Sequence, residues 1–321
     1  MQISRRALLS GLCAALLPAA EDITWITRLG GKIQRNPAGT VVAIDLGTTW
    51  VSDDEMLDLL AFPQLERLNL SHTRISDEGL LRLKPAAQIQ ELSLLYAEQI
   101  TDLGLSAIKQ WRRLKKLNVR GTRIGDETLA LVAALVQIES LDIADTNITD
   151  NGLDNLVPLT RLKHLALGRS RLTDESLSGL RVFSTLESLD LGGPRSTNRN
   201  QRGRASAPMR ASLVAAIAEL KELRTLRLGY SDIDEGGLRG LAVLEKVEKL
   251  ELEGCRRIDD KALKVLDSWK ALKYLDVQET AVSSTAVASF RAAKPGVQIL
   301  SGPFAGERSL GSAPDLASEK R

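Results

Sequence analysis

Aromatic rings are scarce in this chain of 321 residues, at 3% of the total. Its core must therefore be assembled from stacked Leu, Ile and Val rather than from a few large rings. Only two cysteines and two histidines are present. That is too little thiol for a disulfide framework and too little imidazole for a histidine-rich metal centre. Charge is close to balance, with 43 basic and 41 acidic residues, so no global pull toward nucleic acid or anionic membrane operates. Long apolar runs are missing too. The run from Ala7 to Leu17 covers about eleven residues, where a bilayer-crossing helix needs roughly 20.

That run follows Arg5 and Arg6 and precedes Ala19 and Ala20, the layout of an export signal over residues 1–20. The paired arginines in SRRALL resemble the twin-arginine signal, whose substrates cross the membrane folded. The expectation is an exported, soluble, monomeric chain in the periplasm or outside the cell, without a stable membrane span once mature. Cleavage leaves Cys255 as the one thiol, placed on a buried turn, so packing must stabilise the fold.

What the chain has in abundance is repetition. An aliphatic L-x-x-L-x-L phrase followed by Thr, an aliphatic and Asp recurs from Val41 to Val297 at nine intervals of 24 or 25 residues. The copies from Leu65 and Leu114 read LERLNLSHTRISDEGLLRL and LKKLNVRGTRIGDETLALV. The first half of each period alternates inward aliphatics with outward polar residues, as in Leu68 with Leu70, which is a short strand with one buried face. In the second half aliphatics fall at helical spacing, as in Leu80 with Leu83 and Leu153 with Leu156. Strands joined through helices must pair in parallel, giving a sheet on the inner side and helices outside. One period buries about six aliphatics at roughly 1.5 to 3 kcal/mol each, against an ordering cost near 1.5 kcal/mol per residue, so no repeat folds alone.

These phrases resemble the leucine-rich repeat family over roughly Val41 to Leu300. The Thr-x-Ile-[Ser/Thr]-Asp continuation is similar to that of bacterial secreted members, and CRRIDDKAL from Cys255 is similar to the cysteine-containing, ribonuclease-inhibitor-like subclass found in F-box substrate receptors. The resemblance implies an α/β solenoid, a right-handed horseshoe with a concave parallel sheet that binds other proteins. The organisation expected is an export signal at 1–20, an N-terminal cap at 21–40, ten repeats at 41–300 and a disordered tail at 301–321. A substrate-receptor-like adaptor is an alternative, disfavoured because no F-box-like helical segment precedes the repeats.

Two columns read as structural. Thr49, Thr73, Thr122, Thr146, Ser170, Ser231, Cys255 and Thr280 follow the strands, where small hydroxyls can satisfy a buried turn. Asp53, Asp77, Asp102, Asp126, Asp150, Asp174 and Asp260, each preceded by Ser, Thr, Gly or Asp, stand at helix starts, where Ser, Thr and Asp accept orphan N–H groups and the acid favours the positive dipole end; no metal is expected there. No nucleophile–base pair or phosphate loop appears, so neither catalysis nor a cofactor is expected.

The candidate partner site is the outward side of the strands and the turn beyond them: His72, Tyr96, Arg120, Asp142, Asp145, His164, Arg169 and Tyr230. Mixed Tyr, Arg, Asp and His suit a protein partner. One interval of 37 residues holds a basic insertion at 195–211, with Arg195, Arg199, Arg202, Arg204 and Arg210. It offers an alternative contact for an anionic envelope polymer; without interleaved aromatics nucleic acid is not expected.

Overall fold

The computed structural model describes residues 22–193 and 209–302. The export signal, the tail from 303 and Arg195, Arg199, Arg202 and Arg204 of the insertion lie outside the described residues.

Each L-x-x-L-x-L phrase has room for a three-residue strand, with the central leucine turned inward. The strands are β1 (Lys32–Arg35), β2 (Val41–Asp45), β3 (Arg67–Asn69), β4 (Glu91–Ser93), β5 (Lys116–Asn118), β6 (Ser140–Asp142), β7 (His164–Ala166), β8 (Ser188–Asp190), β9 (Thr225–Arg227), β10 (Lys249–Glu251), β11 (Tyr274–Gln278) and β12 (Gln298–Gly302). Among the described residues they form one sheet in sequence order. Every pairing from β2 onward is parallel and in identical register, Leu68 beside Leu92 beside Leu117. β8 and β9 pair in that register although the insertion separates them, with Leu189 opposite Leu226. The insertion therefore leaves the sheet unbroken.

The chain is an α/β solenoid. Its convex elements are short: one-turn helices such as Asp102–Leu105 run into 3-10 turns such as Ser106–Gln110, and the first repeat has 3-10 turns alone. A 24-residue period spent on strand and two turns leaves little length for a regular helix. One apolar cluster runs from Ile26 to Ile299, layer upon layer, with Trp111 and Phe62 its largest fully buried members.

Both ends are covered differently from the middle. At the N-terminus β1 folds back antiparallel onto β2, and the helix Thr24–Arg28 buries Ile26 over the first layer. At the C-terminus the helix Ser284–Ala293 leads into β12, which matches β11 over five residues. Lys294 stitches this end by donating to the carbonyls of Leu266 and Trp269 at 2.8 Å each.

The hydroxyl column closes its turns. Thr49, Thr73, Thr122, Thr146 and Thr280 each donate to the carbonyl three residues back, at 2.6 to 2.7 Å. Cys255 takes the same column with its thiol fully buried, 3.1 Å from the Leu228 carbonyl, and burial pushes its pKa up to about 12.

The helix starts bear out capping by Ser, Thr and Asp but correct the part played by the aspartate column. Helix capping falls to the preceding residue: Ser76 accepts from the Glu78 amide at 3.2 Å, and Thr101 likewise from Leu103. The aspartate, one position on, faces the next repeat instead. Asp77 accepts the amide and hydroxyl of Thr101 at 2.8 and 2.6 Å, and Asp126 those of Thr149 at 2.8 and 2.7 Å. Asp53, Asp150 and Asp260 hold Ser76, Thr173 and Ser283 in the same way. Where the cap residue is Gly125 and has no hydroxyl, Thr128 three residues later donates both amide and hydroxyl to Asp102. Room for the carboxylate comes from missing side chains: a Cβ on Gly104 would lie 2.3 Å from Asp77 Oδ1.

Candidate functional site

Beyond each strand the backbone makes the same unusual move. Thr48, His72, Tyr96, Asp145, Arg169, Tyr230 and Glu279 all have φ between 52° and 63°, the left-handed region, and Gly121 and Gly254 occupy the equivalent place at 72° and 69°. The conformation continues the parallel ladder. The amide of His72 donates to the Leu95 carbonyl and that of Tyr96 to Arg120, both at 2.7 Å. Left-handed backbone costs a residue with a Cβ about 1–2 kcal/mol, whereas glycine adopts it freely. The chain nevertheless carries side chains at seven of these positions.

Five of the eight predicted partner residues, His72, Tyr96, Asp145, Arg169 and Tyr230, stand in this column. Sequence periodicity placed them beside the strands without revealing that they share one strained conformation. Their side chains lean along the solenoid. The His72 and Tyr96 rings lie 5.4 Å apart. The Tyr96 ring covers Gly121, where a Cβ would come within 2.1 Å, and its hydroxyl lies 3.4 Å from Asp145 Oδ2, two repeats on. Tyr230, Gly254 and Glu279 repeat this arrangement, with the hydroxyl 3.3 Å from Glu279 Oε2.

The other three lie on or just past the strands. His164 is exposed on β7, far along the chain from His72. Asp142, at the end of β6, accepts the Ala144 amide at 3.2 Å and so shapes its own turn, as Asn69, Asn118, Asp190 and Asp276 do in their repeats. Arg120 is drawn inward: its Nε donates to Asp142 at 2.9 Å, and its Nη2 reaches Asp190 Oδ2 at 3.0 Å, three strands away. The small residues Ala166 and Gly168 on the intervening repeat leave the space this crossing needs. Burial pushes the Asp142 carboxyl up despite the guanidinium beside it. Arg120 and Asp142 are thus joined in one network with each other, while Arg169 makes only a loose 3.6 Å contact with Asp145.

Arg210, grouped with the insertion by sequence, belongs to the scaffold. It stands at the N-cap of the helix Ala211–Ala218, and its amide donates to Asp174 at 2.8 Å.

Sequence reasoning missed the centre of the face. Asp190, Arg227 and Glu251 occupy the strand position of Asp142, and with Arg120, Arg169, Tyr230 and Glu253 they line a cavity of about 330 Å³ floored by Gly192, Gly193 and Gly229. Extending the Asp142 column across the insertion would have found them. Trp50 was also missed: it fills the turn position where the next repeat has Arg74, is 75% exposed, and has the Arg74 guanidinium 4.9 Å from its ring centroid.

A parallel inner sheet, helices outside and one recurrent turn define a class of curved repeat proteins. The comparisons give that class its family. The leucine-rich repeat family model matches residues 63–84 and 138–157. The structure is similar to an internalin from Listeria monocytogenes at 18% identity and TM-score 0.55, covering 89% of this chain and 91% of that one. It is also similar to a leucine-rich repeat protein of Leptospira interrogans at 18% identity and TM-score 0.51, covering 76% of this chain and 56% of that one. This chain thus spans little more than half the length of the Leptospira protein. No curated protein matches it. The chain has the leucine-rich repeat fold, and two of its stretches match that family's repeat.

Proposed function

We propose that this protein is an exported, non-catalytic scaffold that captures a protein partner on its concave face and the adjoining turn column. The observation that carries the reading is the retention of seven side chains at left-handed positions where glycine would relieve strain. Their chemistry, two tyrosines, an arginine, a histidine and two acids among them, is that of interface anchors. Repeat scaffolds generally present such a surface for binding.

The test uses glycine rather than alanine. His72→Gly and Arg169→Gly remove a displayed side chain while relaxing the backbone, so thermal stability should hold or rise. Capture of a partner by cross-linking in the native cell envelope should fall at least tenfold for both, against an unchanged Arg239→Gly control on the convex side. Loss of stability without loss of capture would mean that these side chains serve the fold alone. Export rests on the MQISRRALLSGLC leader. Intact-mass measurement of the protein from its host should show a chain shortened by about twenty residues; a full-length cytoplasmic chain would refute it.

A further inference from the structure

We infer that the central cavity of the concave face is a binding site for a small zwitterion, an amino acid or dipeptide with a free α-ammonium and a free α-carboxylate. Three guanidiniums, Arg120, Arg169 and Arg227, face three carboxylates, Asp190, Glu251 and Glu253, around one hollow of about 330 Å³. That volume falls at the small end of ligand pockets. A ligand bearing one sign of charge would meet as much repulsion as attraction there, whereas a zwitterion meets both its complements.

Depth orders the charges. The side chains of Asp190 and Glu251 are 14% and 17% exposed, those of Arg169 and Arg227 36% and 42%. Arg120, at 24%, is drawn in beside Asp190, while Arg169 and Arg227 stand at the mouth, which sets the ligand's ammonium inward toward the carboxylates and its carboxylate outward. Internal pairs hold Glu251 between Arg227 and Lys249, the latter at 2.7 Å, so the ligand's contacts fall chiefly to Asp190 within and to Arg169 at the mouth, whose pair with Asp145 is a loose 3.6 Å. Among the described residues Asp190 accepts the Gly192 amide at 2.9 Å and Arg120 at 3.0 Å, of the roughly four bonds a carboxylate can take. Arg227 Nε stands 2.9 Å from Glu251 Oε2, but in a direction that makes no hydrogen bond.

The floor is backbone. Gly192 and Gly229, two of the three floor glycines, take the position that Arg120, Ala144 and Glu253 hold in other repeats, so a ligand can lie against the main chain there. Gly229 has a packing reason as well, since a Cβ there would meet the Glu253 carboxylate at 2.5 Å. Gly192 has none so severe, its nearest neighbour being Asp190 Oδ1 at 3.1 Å. A methyl there asks only a few tenths of an ångström of movement from the end of the Asp190 side chain.

The site does not depend on a protein partner, and its test uses free ligands. Glycine, glycylglycine, N-acetylglycylglycine and glycylglycinamide are titrated into the full-length mature protein by calorimetry and ligand-observed NMR. Glycine or glycylglycine should bind, and each blocked form should bind at least about tenfold more weakly, a loss of 1.4 kcal/mol. Arg169→Gln and Glu251→Gln should each reduce binding by a similar factor, and Gly192→Ala should block it by volume with every charge retained. Arg239→Gln, on the convex side, should leave it unchanged. Circular dichroism confirms that each variant is folded. No binding by folded wild-type protein up to about 10 mM, equal binding of blocked and free forms, or full binding by folded Gly192→Ala overturns the proposal.

Discussion

Removing the Asp102 carboxylate should reverse the effect of a second substitution 26 residues away. Asp102 accepts the Gly125 amide at 3.0 Å, the Thr128 amide at 2.9 Å and the Thr128 hydroxyl, and Thr128 is fully buried. Hydrogen bonds to a charged acceptor contribute about 1.5–3 kcal/mol each without being additive, so Asp102→Ala should cost about 3 kcal/mol. Thr128→Val in the native background loses one such bond and should cost about 1–2 kcal/mol. In the Asp102→Ala background the same change removes a buried hydroxyl that has already lost its partner, and should be neutral or stabilising by up to about 1 kcal/mol. The coupling energy expected is therefore about 2 kcal/mol. Urea unfolding followed by both circular dichroism and tryptophan fluorescence reads it, with coincident transitions establishing two-state behaviour. If Thr128→Val costs the same in both backgrounds, the hydroxyl does not act through Asp102 and the inter-repeat clamp is not an energetic unit.

Acid should weaken the same ladder. Hydrogen bonds from Ser176 and Thr173 hold the Asp150 carboxyl below the usual carboxylate range, and bonds from the Ser283 amide and hydroxyl do so for Asp260. Because the folded pKa is depressed, this stabilisation is complete above the unfolded value near 3.9 and is lost as pH falls through the folded one; a melting-temperature series from pH 6 to pH 3 should show it shrink on replacing either residue with Asn. Gly121→Ala should destabilise by more than the roughly 1 kcal/mol of left-handed backbone alone, because the new methyl meets the Tyr96 ring, and Tyr96→Ala should recover the excess; chemical denaturation of the two single variants and the double variant decides. The Cys255 thiol, buried and raised to about 12, should resist iodoacetamide at pH 8 until the protein is unfolded; rapid labelling of native protein would contradict its burial.

The solenoid was legible because its information is one-dimensional. Leu68, Leu92 and Leu117 stack in register for the same reason that they recur at 24 or 25 residues, and the repeated Thr announces its own turn bond. The aspartates were placed but misassigned, since an acid at a helix start is equally suited to its own helix or to the one beside it. Only the position of Thr101 relative to Asp77 decides. Left-handed backbone at Tyr96 or Arg169 was hidden because its usual marker, glycine, stands at Gly121 and Gly254 instead. The Arg120 to Asp190 contact joins residues 70 apart in sequence and three strands apart in the sheet, beyond the reach of any local pattern.

The aspartate clamp gives the molecule a direction. Seven repeats present an aspartate toward the repeat that follows, so there a nascent chain emerging amino end first exposes a waiting carboxylate before the donors that need it are made. Shortening from the carboxyl end strands only a solvated acid, whereas shortening from the amino end deprives the new first helix of its ligand. Truncations of equal length from the two ends should therefore differ in how well they fold.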